Sequence, residues 1–387
     1  MNGRIETLRK GIDGIDAQIV AMLSRRLEAA MLIGREKRID GIPLRDVERE
    51  NEVLESAGKS AARQGAISSG AVEGIFGNLI EESARAQEKS CIAVAFQGER
   101  GAFSEQAARA TFKNCVPLAF RTFTEAFAAV ENGDADVALL PVENSTEGPV
   151  GEVHDLLAQK NLAAIGEALL RVKHCLVAMP GTELNWITEV YSHPQALGQC
   201  SGFLKKELPH ARTVPFYDTA GAARMIAAQE MEGAAAIASE GSAVAYGLEI
   251  LRKGIEDSES NTTRFLALRK GTGKTQMEMG TALKTTDGKE APQKTEDRLK
   301  TSIIFSASHT PSSLSHALEP FAKRSLNLTR IESRPSRRTP WEYVFFLDFE
   351  GTSQEGAGRE AIEEMKRICR WLNVLGTYPK SRTVIGE

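Results

Sequence analysis

Cationic side chains recur in the first fifty residues at spacings that suit a binding pocket. Arg26 and Lys37 are eleven positions apart, about three helical turns, so a helix would carry both on one face. Arg9 precedes Arg26 by seventeen positions, roughly 100° away around the axis, and could more easily serve a neighbour's pocket. Such cations bind carboxylates, and guanidinium binds them bidentately. Taken singly, each residue could equally be solvated surface charge.

A second set of polar side chains stands beside short apolar runs farther along the chain. Its members are Glu143, Asn144, Ser192, His193, Gln199, Thr263 and Arg264. Functional groups of α/β sheets gather at the carboxyl ends of strands, so these residues could share one site at that edge. The alternative for each residue is local: a turn, a packed histidine or an ordinary strand threonine.

The elements that carry the first set are predicted to be helices throughout residues 4–89. Apolar residues recur at alternating steps of three and four, namely Ile5, Leu8, Ile12, Ile15, Ile19 and Met22. The pattern reaches about Arg38, and a helix of that length exceeds what a small domain can bury, which predicts a partner chain. A second helix is predicted to begin near Asp46 as N-cap, and a third spans about 69–89.

The rest of the chain changes character twice. From Cys91 to Arg269, short apolar runs alternate with helical patterns, which predicts α/β units with mainly parallel strands. Residues 271–298 are rich in Lys, Thr, Gly and Glu and are predicted to be a flexible linker or exposed insertion. Within them, Gly271 to Thr275 imitates a phosphate-binding loop but lacks its first glycine. Residues 301–377 follow the ferredoxin-like order βαββαβ.

Composition limits the class of protein. A chain of 387 residues suits two to four domains, and the net charge of −4 gives no reason to expect nucleic acid or an anionic membrane as partner. No apolar run approaches the roughly 18 residues of a membrane span, and the N-terminus does not read as a signal peptide. Five scattered cysteines fit a reducing compartment and no zinc site. We therefore expect a cytoplasmic protein.

Residues 4–89 resemble the all-helical chorismate mutases of the bacterial type. The matching stretches are Leu8-Arg9, Asp16, Ser24 to Arg26, Gly34 to Lys37, Pro43 to Asp46, Arg49-Glu50 and Ser83 to Gln87. The resemblance implies that chorismate carboxylates are bound by Arg9, Arg26 and Arg49. It implies that Lys37 and Gln87 donate to the ether oxygen and that Glu50 accepts from the ring hydroxyl. It further implies substrate contacts for Asp46 and Ser83, and a helix-exchanged dimer in which Arg9 comes from the other chain.

Residues 91–270 resemble the prephenate dehydratases. The matching segments, in order, are Ala95 to Gly98 with Gly101 to Ser104, Pro141 to Gly148, Ser192 to Gln195, and Thr263 to Phe265. The resemblance implies two α/β lobes, like those of periplasmic binding proteins, that close on a cleft. There Thr263 would donate a proton to the leaving hydroxyl of prephenate. The neighbours expected to assist it are Glu143, Asn144, Ser192 and Gln199, and Arg264 is the expected carboxylate ligand.

Residues 300–378 resemble an ACT domain of the phenylalanine-binding kind, on the segments Ile331 to Pro335 and Trp341 to Phe346. The implied phenylalanine site consists of Pro311, Ser312, Ser313, Leu314, Glu332, Ser333, Arg334 and Pro335. The family usually has Pro-Gly-Ala-Leu at the first of these segments, and here two serines add bulk and hydroxyls. The alternative is an ACT fold kept only as a dimerising platform.

Together these resemblances predict a bifunctional enzyme of phenylalanine biosynthesis that needs no cofactor and no metal. We expect a mutase domain at 1–89, a dehydratase domain at 90–270, a linker at 271–298 and a regulatory domain at 299–387. The expected partners are chorismate, prephenate, phenylalanine as effector, and at least one further copy of the chain. The alternatives are a non-catalytic amino-acid sensor, or an enzyme that retains one of the two activities.

Overall fold

The computed structural model of the chain describes residues 2–271, 299–308, 310–336, 342–381 and 383–386. Most of the predicted linker, residues 272–298, and Trp341 of the C-terminal motif lie outside these ranges. The described residues form a helical unit, two α/β lobes and a C-terminal α+β unit.

The helical unit consists of α1 (Asn2–Ile39), α2 (Val47–Gln64) and α3 (Ser69–Glu88). No proline interrupts the 38 residues of α1, as the apolar pattern predicted. Asp46 caps α2 by accepting a 3.0 Å hydrogen bond from the backbone N–H of Arg49, which confirms the predicted N-cap. Among the helices of the described residues, none has the length and apolarity needed to cross a bilayer.

The apolar stripe of α1 is uncovered within one chain. Its N-terminal members are at least half exposed: Ile5 52%, Leu8 63%, Ile12 57%, Ile15 57% and Ile19 50%. Beyond this stretch α1 packs against α3, and Ala30 and Ile80 are buried there. Among the described residues, the apolar stripe on the first half of α1 is therefore left exposed, although Gln18 on the same half contacts Gly247.

Helices α1 and α3 approach each other closely at Gly34. A Cβ added there would lie 2.6 Å from the Cα of Gln87 and still closer to its carbonyl oxygen. Arg38, one turn later, donates to the same carbonyl. Glycine at position 34 therefore sets the distance between α1 and the part of α3 that carries Gln87.

Replacing Gly34 by alanine should force the two helices apart and lower the free energy of unfolding of the helical unit by about 1–3 kcal/mol. Urea denaturation followed by circular dichroism measures the change. Gly74→Ala in α3 is the matched control, because a Cβ at residue 74 meets nothing within 4 Å. That control should be neutral or stabilising by up to about 1 kcal/mol, since alanine is the better helix former. Equal losses in both variants would contradict the close approach.

The first lobe is a mixed sheet in the order β16-β5-β11-β3-β1-β2, with β4 paired to β3. Its strands are β1 (Ile92–Gln97), β2 (Cys115–Phe120), β3 (Val137–Asn144), β4 (Gly148–Pro149), β5 (Leu162–Arg171), β11 (Thr262–Lys270) and β16 (Val384–Ile385). Its helices are α4 (Phe103–Thr111), α5 (Phe123–Asn132) and α6 (Gly151–Gln159). The prediction of mainly parallel strands is only partly right, because β11 enters between β3 and β5 antiparallel to both.

The second lobe is a separate sheet in the order β10-β6-β9-β7-β8. Its strands are β6 (Cys175–Ala178), β7 (Glu189–Ser192), β8 (Arg212–Pro215), β9 (Ala234–Ala238) and β10 (Glu249–Lys253). Its helices are α7 (Pro194–Gln199), α8 (Ser201–Glu207), α9 (Thr219–Ala228) and α10 (Glu240–Tyr246), with a short 3-10 turn at Leu184–Trp186. The chain enters this lobe after β5 and leaves it before β11, so two connections join the lobes.

The C-terminal unit has the predicted element order: β12 (Leu299–Ser306), α11 (Ser313–Ala322), β13 (Leu328–Pro335), β14 (Tyr343–Glu350), α12 (Gly356–Ile368) and β15 (Trp371–Pro379). Its antiparallel sheet has the order β13-β14-β12-β15. One face packs on the first lobe, where Ile304, Phe346 and Tyr378 share an apolar cluster with Val153 and Leu157. The two units therefore share a core.

Two candidate active sites

The first site is a cavity of about 210 Å³ between α1, α2 and α3. Seven of the eight polar residues predicted for the mutase line it: Arg26, Lys37, Asp46, Arg49, Glu50, Ser83 and Gln87. Its apolar walls, which the sequence did not single out, are Ile33, Leu44, Val53, Ile80 and Ala84. The spacing argument for Arg26 and Lys37 thus agrees with a shared pocket. We call this cavity the mutase pocket.

Contacts between helices fix the cations of the mutase pocket. Arg26 donates to the carbonyl oxygen of Leu79 at 3.0 Å and to the hydroxyl of Ser83. Ser83 in turn donates to the same carbonyl at 2.7 Å, so Arg26 is tied to α3. The Lys37 ammonium donates to the carbonyl of Leu44 at 2.7 Å, which uses one of its three N–H donors and leaves two for a ligand.

Gln87 is the side chain of the mutase pocket that most needs a ligand. Its Oε1 atom is buried and has no hydrogen-bond partner among the described residues. A buried amide oxygen without a partner costs free energy, which a hydrogen-bond donor on a ligand would recover. Rotation of the amide by 180° would present its NH2 group instead of the oxygen.

The acids and Arg49 lie at the α2 side of the pocket. Glu50 pairs with Arg45 at 3.1 Å, and Arg49 pairs with Glu52 at 2.7 Å. One carboxylate oxygen of Asp46 accepts the hydrogen bond that caps α2.

Arg9 does not reach the mutase pocket of its own chain. Its side chain is 72% exposed and lies 4.0 Å from Glu6 on the uncovered half of α1. The angular offset in the sequence predicted this separation.

The second site centres on Thr263 and Asn144, which are cross-strand partners on β11 and β3. The Asn144 Nδ2 atom donates to Thr263 Oγ1 at 2.9 Å. Asn144 Oδ1 accepts from the backbone N–H groups of Thr146 at 3.0 Å and Glu147 at 3.1 Å, which fixes the orientation of the amide. Because the Thr263 oxygen accepts this bond, its own O–H proton is free to be donated elsewhere.

Hydrogen bonds continue from this pair to the second lobe. Asn144 Nδ2 also donates to Asn261 Oδ1 at 2.7 Å, and Asn261 Nδ2 donates to Gln199 Oε1 at 3.0 Å. His174 Nε2 lies 3.0 Å from the same oxygen of Gln199. Gln199 thus links the lobes, as expected of a residue beside a cleft. We call Thr263, Asn144, Asn261, Gln199 and His174 the interlobe network.

The sequence did not assign Asn261 or His174 to a site. Asn261 stands two positions before Thr263 and could have been found from that proximity. His174 belongs to no sequence motif that would have indicated a site. Since Gln199 Oε1 can only accept, His174 carries its proton on Nε2. Burial lowers the pKa of His174, so the ring is neutral at neutral pH.

Glu143 and Arg264 do not join the interlobe network, contrary to expectation. Successive side chains of a strand point to opposite faces of the sheet, and each residue is one position away from a network residue. Arg264 is buried and donates to Glu167 at 2.8 Å, Asp348 at 2.6 Å and Tyr378 at 3.1 Å. The predicted role of Arg264 as carboxylate ligand is therefore wrong.

Glu143 likewise faces the C-terminal unit, where it pairs with Arg330 at 3.1 Å. Ser192 is fully buried at the end of β7 and donates to the carbonyl of Ile237 at 2.6 Å, which ties β7 to β9. The expectation that these two residues assist Thr263 directly is not met.

The residues expected to bind phenylalanine lie on two elements of the C-terminal unit. Pro311, Ser312, Ser313 and Leu314 lead into α11, and Ser312 has a φ of +63°, a left-handed conformation that favours glycine. Glu332, Ser333, Arg334 and Pro335 end β13, an edge strand whose side chains alternate between half-buried and exposed. Arg334 faces α6 of the first lobe, 3.6 Å from Asp155.

His154 on α6 is a buried titratable group where the first lobe meets the C-terminal unit. Its Nδ1 lies 2.8 Å from the carbonyl of Val150, and its Nε2 faces Arg330 at 2.7 Å. The ring packs edge-on against Phe346. Burial, together with the charge of Arg330, lowers the pKa of His154 to about 4.

Because the pKa of His154 is about 6.5 when unfolded and about 4 when folded, the unfolded chain binds more protons between these values. The free energy of unfolding should therefore fall as pH drops from 7 to 5. In the wild type the fall should be about 2 kcal/mol larger than in His154→Gln, whose neutral amide can keep both hydrogen bonds. Urea denaturation at the two pH values measures this. Equal falls in both proteins would refute a neutral His154.

Comparisons with known proteins identify two families along the chain. Residues 8–88 match the family described as chorismate mutase type II, and residues 94–272 match prephenate dehydratase. The bifunctional chorismate mutase/prephenate dehydratase of Aquifex aeolicus is 35% identical over 381 residues, covering 97% of this chain and 98% of that protein. Arogenate dehydratase 5, chloroplastic, of Arabidopsis thaliana is 40% identical over 277 residues, covering 67% of this chain and 61% of that protein.

A solved structure also matches. The prephenate dehydratase of Arthrobacter aurescens in complex with L-Phe is 30% identical, with a TM-score of 0.64, covering 75% of this chain and 90% of that one. Both catalytic families thus occur in order on one polypeptide, and a relative with both matches it over nearly its whole length. The chain belongs to the family of bifunctional chorismate mutase/prephenate dehydratases.

Proposed function

We propose that the mutase pocket rearranges chorismate to prephenate and that the interlobe network converts prephenate to phenylpyruvate. The observation that carries this most strongly is the meeting of Arg26, Lys37, Glu50, Ser83 and Gln87 around one cavity of about 210 Å³. The hydrogen bond from Asn144 to Thr263 is the observation that supports the second reaction.

The first reaction is intramolecular and transfers no proton, so the pocket has to hold the reactive conformer and stabilise developing charge. Arg26 and Arg49 bind the two carboxylates of the substrate. The free N–H donors of Lys37 and the amide of Gln87 face the breaking ether oxygen, and Glu50 accepts from the ring hydroxyl. Gln87 Oε1 and the ether oxygen both accept, so this contact uses the rotated amide, whose NH2 group donates.

In the second reaction, the bond between the ring and the carboxylate breaks as carbon dioxide leaves. Its electron pair enters the ring, which becomes aromatic and expels the ring hydroxyl. That hydroxyl takes one proton and leaves as water. Thr263 donates its O–H to the departing oxygen, and the bond from Asn144 holds the threonine with its proton outward. A threonine hydroxyl is a weak acid, so aromatisation supplies the driving force. Solvent then returns a proton to the Thr263 oxygen, so that the reaction consumes one proton overall.

The C-terminal unit is, in this proposal, an ACT domain that binds L-phenylalanine and lowers dehydratase activity. The βαββαβ order supports this, as does the L-Phe complex of the Arthrobacter aurescens relative. Binding at one site that changes activity at another requires a coupling between them.

The chain acts as at least a dimer in this proposal. A groove of about 380 Å³ between α2 and α3, lined by Val53, Ala57, Ile67 and Phe76 among others, offers an apolar seat. The uncovered half of α1 from a second copy fits it, and the groove shares Arg49 with the mutase pocket. Arg9 of that copy would then reach the pocket. Five free cysteines, three of them buried, support a reducing, cytoplasmic location.

The test is to give the purified chain chorismate alone and to follow prephenate and phenylpyruvate with and without L-phenylalanine. Phenylpyruvate whose rate falls with phenylalanine supports all three parts. Accumulation of prephenate refutes the assignment at Thr263, and no product at all would fit a non-catalytic amino-acid sensor. Parallel assays with prephenate and arogenate identify the substrate of the second step.

A further inference from the structure

Four charged residues join the first lobe to the C-terminal unit directly behind the interlobe network. Arg264 contacts Asp348 at 2.6 Å, and Glu143 contacts Arg330 at 3.1 Å. Arg264 and Glu143 are cross-strand partners on β11 and β3, and Arg330 and Asp348 are cross-strand partners on β13 and β14. The charges therefore alternate around a rectangle with one edge on each sheet. We call these four residues the charge clamp.

The side chains of Arg264, Asp348 and Arg330 are 10%, 4% and 11% exposed, whereas that of Glu143 is 40% exposed, so the Arg264–Asp348 pair is the more rigid of the two. Glu167, 1% exposed, adds a second carboxylate beside Arg264. Burial disfavours the charge of Asp348, yet the guanidinium groups of Arg264 and Arg330 hold the pKa of Asp348 below its usual range. Buried charges that lose a partner are strongly unfavourable, so the clamp resists displacement.

Each clamp residue of the first lobe is the chain neighbour of a network residue. Glu143 precedes Asn144, and Arg264 follows Thr263. Because adjacent side chains of a strand point to opposite faces, the clamp holds the back of the two strand segments whose front carries the Asn144–Thr263 hydrogen bond. A shift or rotation of β13 and β14 against the first lobe would therefore move both network residues together.

We propose that Arg330 and Asp348 are positioning residues of the dehydratase, through which the C-terminal unit sets the geometry of Thr263 and Asn144. This rests on the proposed function of Thr263. The pairs also explain why Thr263 is followed by a buried arginine: the arginine anchors the strand from behind and leaves the substrate to other groups. The same link is a route by which a ligand of the C-terminal unit would alter turnover.

The test uses full-length Arg330→Gln and Asp348→Asn with prephenate as substrate. Each should lower kcat about tenfold, since small misplacements of reacting groups cost up to roughly 100-fold, with little change in KM. Mutase activity of the same polypeptide should stay at the wild-type value, and Arg330→Lys should recover part of the loss. The matched control is Arg324→Gln, because Arg324 pairs with Glu364 at 2.8 Å away from the first lobe.

A double-mutant cycle that combines Arg330→Gln with Asn144→Ala separates a positioning role from a loss of stability. If Arg330 acts by placing Asn144 and Thr263, the double variant should be about as slow as Asn144→Ala alone. Fold-losses that multiply, wild-type kcat in both clamp variants, or an equal loss in Arg324→Gln would each overturn the proposal. Thr263→Ala distinguishes failure of this proposal from failure of the proposed function. If Thr263→Ala stays active, the proposed function is wrong. If Thr263→Ala is inactive and Arg330→Gln is fully active, only the proposal about the charge clamp is wrong.

Discussion

Replacing Lys37 by alanine should lower the rate of chorismate rearrangement by about 10²–10³-fold, the loss typical of removing one preorganised donor from developing negative charge. The expectation follows from the position of its ammonium group, which is held by Leu44 with two donors left over in the mutase pocket. The measurement is the disappearance of chorismate at saturating concentration.

Dehydratase activity of Lys37→Ala, measured with added prephenate, should equal that of the wild type because its site lies in other units. Lys59→Ala provides the control, since Lys59 is an exposed lysine of α2 that pairs with Glu55 at 2.6 Å. If Lys37→Ala keeps wild-type mutase activity, Lys37 has no part in the reaction. If both activities fall, the variant has lost its fold and says nothing specific about the ether oxygen.

Thr263→Ala should show the opposite pattern, with dehydratase kcat lowered by about 10²–10³-fold and mutase activity intact. The physical reason is the removal of a hydroxyl whose oxygen accepts a hydrogen bond from Asn144 and whose proton can be donated to the substrate. Thr263→Ser keeps that hydroxyl and should stay within about tenfold of the wild type. Phenylpyruvate formation from prephenate measures both variants.

Thr262→Ala is the matched control, because Thr262 precedes Thr263 on β11 and its side chain points to the other face. It should leave turnover unchanged. A fully active Thr263→Ala would show that the leaving hydroxyl finds its proton elsewhere. A dead Thr262→Ala would indicate that any change at this end of β11 disrupts the sheet.

The helical unit could be largely predicted from the sequence because its site is built on rigid elements with a known repeat. Spacing along α1 placed Arg26 and Lys37 on one face and Arg9 on another, and both placements agree with the structure. What spacing could not give was the apolar wall of the mutase pocket, since Ile33 and Ile80 belong to ordinary helical stripes.

The interlobe network was harder to predict because it depends on tertiary contacts. Strand alternation already predicts that the side chains of Arg264 and Thr263 point to opposite faces of the sheet. Assigning both neighbours to one site overlooks that alternation. His174 enters only through folding of the second lobe against the first. The shared core with the C-terminal unit was equally invisible, because it depends on close backbone approach at Gly376, where a Cβ would lie 3.0 Å from the carbonyl carbon of Ala164.

The position of β11 has a consequence for how the protein is made. This strand lies between β5 and β3, yet in the chain it follows the whole second lobe. A ribosome therefore completes the second lobe while the first still has an open gap in the middle of its sheet. We expect the second lobe to fold first during synthesis, with the first lobe closing only when residues 262–270 have emerged. Such late closure over a long sequence separation is slow, so exposed β3 and β5 are the strands a chaperone would have to protect.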